Sequence, residues 1–159
     1  MAQDKNLIKS TYPLPAYNYR VTILKDGESL VLSFAEVSGL SMEYEPVTYK
    51  HGLSFVMGNK IIPGMRQPTR LTMKRGVVKN NDSLYSWFYN TYSDPFFTSA
   101  KRDILIDLCN EAGEPVIRWS VQGALPIKLD APTFDANTNE VAIETMEFIA
   151  HGLQVSYNP

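Results

Sequence analysis

With 159 residues, a formal net charge of −2 and 44% hydrophobic side chains, the chain is sized and composed for a single domain, 1–159, with its own core. The near-neutral balance excludes a polycation built to neutralise phosphates, and the lone Cys109 excludes an internal disulfide. No apolar run approaches the roughly eighteen residues a membrane helix needs, and the opening MAQDKNLIKSTYPLP lacks a secretory apolar stretch, so folding in a cytoplasm is expected.

Along the chain, short alternating stretches separated by turn signals predict an antiparallel β domain. Tyr19, Val21 and Ile23 alternate with Arg20 and Thr22, and Leu30, Leu32 and Phe34 form the next stripe. Asp26-Gly27 between them predicts a hairpin, because both residues tolerate positive φ. The segment 40–57 reads as a long hairpin: Leu40, Met42 and Tyr44, then Val47 and Tyr49, a turn at Lys50-His51-Gly52, and Leu53, Phe55 and Met57 returning. A two-stranded hairpin is marginal in water, so this one must pack on something, either its own sandwich or a neighbouring subunit. Tyr44, Tyr49, Phe55 and Met57 are the candidate contact residues.

A strand over 70–74 carries Leu71 and Met73 on its apolar face. One helix follows over about 82–92, capped by Asn81 or Asp82 and stopped by Ser93-Asp94-Pro95. Leu84, Trp87, Phe88 and Tyr92 recur at three- and four-residue steps, so Leu84, Trp87 and Phe88 are expected in the core. A second hairpin spans 103–110 and 115–122 around Glu111-Ala112-Gly113-Glu114, with Ile117, Trp119 and Val121 on one face. Strands are expected over 140–150 and 153–157.

Charge is segregated: 60–102 holds eight Lys/Arg against two Asp/Glu, and from Asp103 onward two face nine. These parts would pair within one fold or between copies. The basic cluster Arg66, Arg70, Lys74, Arg75 and Lys79 has few interleaved aromatics and reads as a solvated face or as intersubunit ion pairs. Glu140, Glu144 and Glu147 read as solvated positions. His51 and His151 fit no metal-ligand spacing, and Cys109 reads as a small buried hydrophobe. No nucleophile elbow, phosphate loop or dinucleotide turn is present, so neither catalysis nor a metal or cofactor is expected.

Several stretches resemble the tail tube family of contractile phages and of related extracellular injection particles. These are YPLPAYNYRVTI, FAEVSGLSMEYEPVTYKHG, IIPGMRQPTRLTMKRGV, NDSLYSWF and the run from RDILIDLCN through EAGEPVIRWSVQGALPIKL to NEVAIETMEFIAHGL. The resemblance covers nearly the whole chain in order and departs at Lys50-His51-Gly52-Leu53, where many relatives have a more glycine-rich turn. It implies an antiparallel β-sandwich or barrel with one flanking helix, closing into hexameric rings that stack into a hollow tube. The implied partners are further copies of the chain, a contractile sheath protein, baseplate or spike and terminator proteins, and cargo in the lumen. The setting implied is a phage tail or an extracellular tail-like particle assembled in a bacterial cytoplasm. An adaptor ring at the spike or baseplate is the alternative within that family. A monomeric sandwich binding ligands through Tyr85, Tyr89 and Tyr92 is the alternative from another class, and a hydrolase built on Cys109 or His151 is a third.

Overall fold

The computed structural model describes residues 10–94, 96 and 101–159; the expected helix stop at Pro95 and the first nine residues lie outside them. Strands β1 (Tyr19–Lys25) and β2 (Glu28–Leu32) pair antiparallel around Asp26 and Gly27, whose φ values of 47° and 83° realise the predicted turn. β3 (Glu36–Ser38) follows, then β4 (Val47–Tyr49), a one-turn helix α1 (Ser54–Met57), and β5 (Lys60–Ile62). β6 (Thr69–Gly76), helix α2 (Ser83–Ser93), β7 (Arg102–Cys109), β8 (Pro115–Asp130), β9 (Ile143–Ala150) and β10 (Gly152–Tyr157) complete the order. The larger sheet runs β2-β1-β7-β8-β9-β6-β3, all antiparallel, with β10 also on β8.

β8 is twice the length expected from the sequence. Its first half pairs with β7 and β10, its second half with β9, and the change falls at Gly123, where φ is 63°. Only a residue without Cβ turns there cheaply. The bend lets the sheet fold over one core: Val21, Ile23, Ile104, Ile106, Val121 and Leu153 on one side face Leu71, Met73, Met146, Phe148 and Ala150 on the other. Strand alternation explains the membership, since each contributes every second residue. Leu30, by contrast, is exposed on the edge strand β2.

α2 covers this core with Leu84, Trp87 and Thr91. At 3.6 residues per turn these three share one line, and Phe88 and Tyr92 fall successively further round the helix. Phe88 is therefore half-buried instead of buried, and Tyr92 is exposed, its hydroxyl donating to the Pro126 carbonyl at 2.7 Å. The expected side-chain cap is absent: Asp82 occupies the N-cap without a capping bond to the backbone, and Asn81 accepts instead from the Ser83 hydroxyl at 2.9 Å.

A further expectation is corrected by an ion pair. Glu144 is not solvated; it pairs with the buried Arg75, which also donates to the Asn81 carbonyl at 2.9 Å and so ties the β6–β9 ladder to the approach of α2. In the basic cluster Arg66, Arg70 and Lys79 stay exposed, as a solvated face would, while Arg66 also donates to the Leu153 carbonyl at 2.7 Å and Lys74 pairs with Glu36. The strand expected from Glu140 begins at Ile143.

The 40–57 hairpin is the largest correction. Glu36–Ser38 pairs with 72–74, Tyr44 bridges to Arg66, and Val47–Tyr49 pairs with 60–62. The partner of the outgoing chain is thus 60–74, not 53–57, in one ribbon that slips register by a single residue. Leu53, Phe55 and Met57 lie at the ribbon's tip, where α1 replaces the expected second strand. Pro46, Pro63 and Pro68 interrupt the ladder because each lacks an N–H to donate. Gly39 and Gly64 keep the two arms close, since a side chain at either would run into the carbonyl of Arg70 or Glu45 across the ribbon.

Candidate assembly surface

Beyond Thr69 the ribbon becomes an arm that leaves the sheet. Its root is held by the Thr69 hydroxyl on the Ser41 carbonyl (3.0 Å), by Gln67 N–H on Glu43 O (2.8 Å) and by Glu45 N–H on Met65 O (2.9 Å). The Gln67 amide adds a bond to the Glu45 carboxylate at 3.0 Å. β4 and β5 form a separate two-stranded sheet. At the tip, the His51 N–H donates to the Ser54 hydroxyl (2.7 Å), the Leu53 N–H donates to His51 Nδ1 (3.2 Å), and Gly58, at φ 78°, closes α1 on the Ser54 carbonyl.

The arm has no buried residue from Met42 to Met65. Met65 is 81% exposed, Ile61 76% and Phe55 87%, and Val47, Tyr49, Leu53, Val56, Met57 and Ile62 are also exposed. Apolar residues are exposed elsewhere too, Val78 and Val141 among them, but here they are gathered on one projecting element, the kind of surface that suits contact with another molecule. Unlike a ligand cleft, it projects, so it can only be covered by something that receives it.

The four candidate contact residues all lie on this arm. Tyr44 stands at the root opposite Arg66, Tyr49 lies in β4 with its ring 6.1 Å from that of His51, and Phe55 and Met57 occupy the tip helix. All four are exposed. The sequence reading missed the return strand, Ile61, Ile62 and Met65. The signal was the apolar pair Ile61-Ile62 before Pro63-Gly64, which the assumed turn at Lys50-His51-Gly52 left without a role.

Catalytic geometry is a different matter. Cys109 is buried with its thiol toward the Asp107 carbonyl, and among the described residues no group of three or more His, Cys, Asp and Glu stands close enough to hold a metal. The most buried acid among the described residues, Asp107, lies between Arg118 (2.6 and 3.0 Å) and Arg20 (3.3 Å) on the sheet face away from the core. Burial alone would raise its pKa, but the hydrogen bonds and charges of the two arginines outweigh burial and hold it below the usual carboxylate value. Clamped in this way, Asp107 is a structural ion pair.

A β domain presenting a long, exposed apolar arm has the form of an assembling structural subunit. The chain belongs to the T4-like virus tail tube protein gp19 family, whose model matches residues 15–154. A chain of the PVC extracellular contractile injection system sheath–tube complex, in the extended state, is 29% identical, over 98% of this chain and 99% of its own, with a TM-score of 0.84. A chain of the anti-feeding prophage tube-terminating cap is 32% identical, over 92% and 93%, with a TM-score of 0.80. One from the PVC sheath/tube terminator is 31% identical, over 91% and 97%, at 0.79. No curated protein matches the chain. It is a structural tube subunit of a contractile, tail-like particle. Among the described residues no helix is long and apolar enough to cross a membrane.

Proposed function

We propose that the chain closes into hexameric rings that stack into the hollow inner tube of a contractile injection system, with the arm as the stacking element. Tyr44, Tyr49, Phe55 and Met57 contact a neighbouring copy, and the protein performs no chemistry of its own. The observation that carries this reading is the arm: its apolar side chains have no cover within the described chain, although the core behind it is complete. Family membership supports the tube role, and the sheath–tube relative supports a surrounding sheath as partner. Baseplate and terminator proteins at the tube's two ends and a cargo in the lumen belong to the same reading, as does assembly inside a bacterium before the particle is released.

Phe55→Ser with Met57→Ser tests it. Both residues are exposed, so the doubly substituted subunit should keep its circular dichroism spectrum and melting temperature while light scattering and negative-stain images lose stacked rings. Tubes of parental length, or a subunit that melts well below the parent, would refute the arm's role.

The terminating cap and terminator relatives favour a second reading, a ring placed at one end of the tube. Copy number separates the two: many per particle for the tube, one ring's worth for a terminator.

A further inference from the structure

The arm's receptor can be sought on the same molecule, since a stack of identical subunits must carry both halves of its contact. The arm leaves β6 at the Thr69 end. At the other end Gly76 pairs with Ile143, and Val77 N–H continues the ladder by donating to Ala142 O at 2.9 Å. Eight residues of strand separate these ends by about 25 Å. Continuing the register places Val78 beside Val141 and Ile143 on the outer face, and a Cβ at Gly76 would touch Val141 at 3.6 Å. All three are exposed and form an apolar patch at the end of the molecule opposite the arm.

The two ends also differ in charge. Residues 47–62, the tip, contain Lys50 and Lys60 and no Asp or Glu. Residues 130–144 contain Asp130, Asp135, Glu140 and Glu144 and no Lys or Arg. Lys128 takes Asp130 and Arg75 takes Glu144, which leaves Asp135 and Glu140 exposed and without an ion-pair partner among the described residues. Lys50 and Lys60 are equally unpaired there, while Lys79 and Asp82 on the adjoining link offset one another.

Resting on the reading of the arm as a stacking element, we propose that its tip seats on the Val78, Val141 and Ile143 patch of a second copy, with Lys50 and Lys60 set against Asp135 and Glu140. Tip and seat are different surfaces at opposite ends, so the contact is heterologous and repeats in one direction instead of closing a dimer. The apolar residues supply the burial, and the charges set register and reject the inverted approach, in which lysines would meet lysines.

Charge reversal in both halves tests the assignment. Lys50→Glu with Lys60→Glu, and separately Asp135→Lys with Glu140→Lys, should each lower stacked material at least tenfold by sedimentation and electron microscopy. The fourfold reversal has the parental net charge and should return tube length to within about twofold. All four residues are exposed, and circular dichroism checks that each variant folds. In a Met57→Cys, Val141→Cys variant, diamide oxidation should give a ladder of disulfide-linked oligomers on denaturing gels. A fourfold variant as defective as its parts, an Asp135→Lys/Glu140→Lys variant that stacks normally, or absence of the ladder would overturn the proposal. The Phe55→Ser/Met57→Ser variant distinguishes the failures. If that variant cannot stack while the Asp135/Glu140 variant can, the arm stands and only its seat is wrong; if it too stacks normally, the arm reading itself falls.

Discussion

Replacing Trp87 by alanine tests the core, independently of any assembly. The ring is 1% exposed, lies 4.9 Å from the Phe148 ring at a 36° tilt, and carries the Arg102 guanidinium 4.7 Å above its centroid. Truncating a buried tryptophan costs about 3–5 kcal/mol. Loss of the cation–π contact adds about 0.5–2 kcal/mol. Arg102 is poorly placed to recover, because burial already pulls its pKa below the ordinary value against the charge of Asp26, and its Nε has no acceptor among the described residues. A total of about 3.5–7 kcal/mol, at roughly 2–4 °C per kcal/mol for a domain of this size, predicts a fall in melting temperature of roughly 7–28 °C. Urea and thermal unfolding followed by far-ultraviolet circular dichroism would measure it, with Tyr85→Ala on the exposed face of α2 as control. The control should stay within about 0.5 kcal/mol. A fall under about 3 °C for Trp87→Ala, or an equal loss for the control, would show that α2 does not sit on the core as described.

Three further outcomes follow from the charges. Asp107 has a folded pKa below its unfolded value near 3.8, so its stabilising contribution is complete above that value and is lost as pH falls through the folded pKa. Acid unfolding curves should therefore steepen below about pH 4. Asp107→Asn should flatten that limb while costing about 1–3 kcal/mol at neutral pH, and an unchanged limb would contradict the assignment. Arg75→Met strands Glu144 in a largely buried site and should cost about 3–5 kcal/mol by urea titration, whereas Arg75→Met combined with Glu144→Leu should cost less than the single change. Raising sodium chloride to about 1 M, where the screening length is near 3 Å, should slow tube growth, while sodium sulfate should oppose that loss through the apolar contacts. Turbidity insensitive to chloride would remove charge from the assembly step.

Sequence pattern located those elements whose alternation reports burial inside the chain itself. Val21 and Ile23, Leu71 and Met73, and Val121 each mark a core face, and Asp26-Gly27 marks a turn that needs positive φ. The length of β8 was hidden because Gly123 and Pro126 look like breakers. One is the bend that carries the strand between half-sheets, and the other sits beside a register shift. The ion pairs were invisible for another reason: Arg75–Glu144 spans 69 positions and Arg20–Asp107 spans 87, and alternation gives a side chain's face without its partner.

The arm failed to yield to the same method because period 2 carries information only where one face is buried. Leu53, Phe55 and Met57 alternate as a strand would, yet within the described chain no surface rewards that alternation, and the local bonds of His51, Ser54 and Gly58 wind the segment into α1 instead. The same fact separates folding from assembly. Since no residue from Met42 to Met65 is buried, substitutions at the tip should leave the subunit's melting temperature unchanged and act on stacking, while Trp87, Arg75 and Asp107 should act first on the fold. A tip substitution that destabilised the isolated subunit would mean that the arm folds back on its own sheet, which would remove the reason for expecting a second copy there.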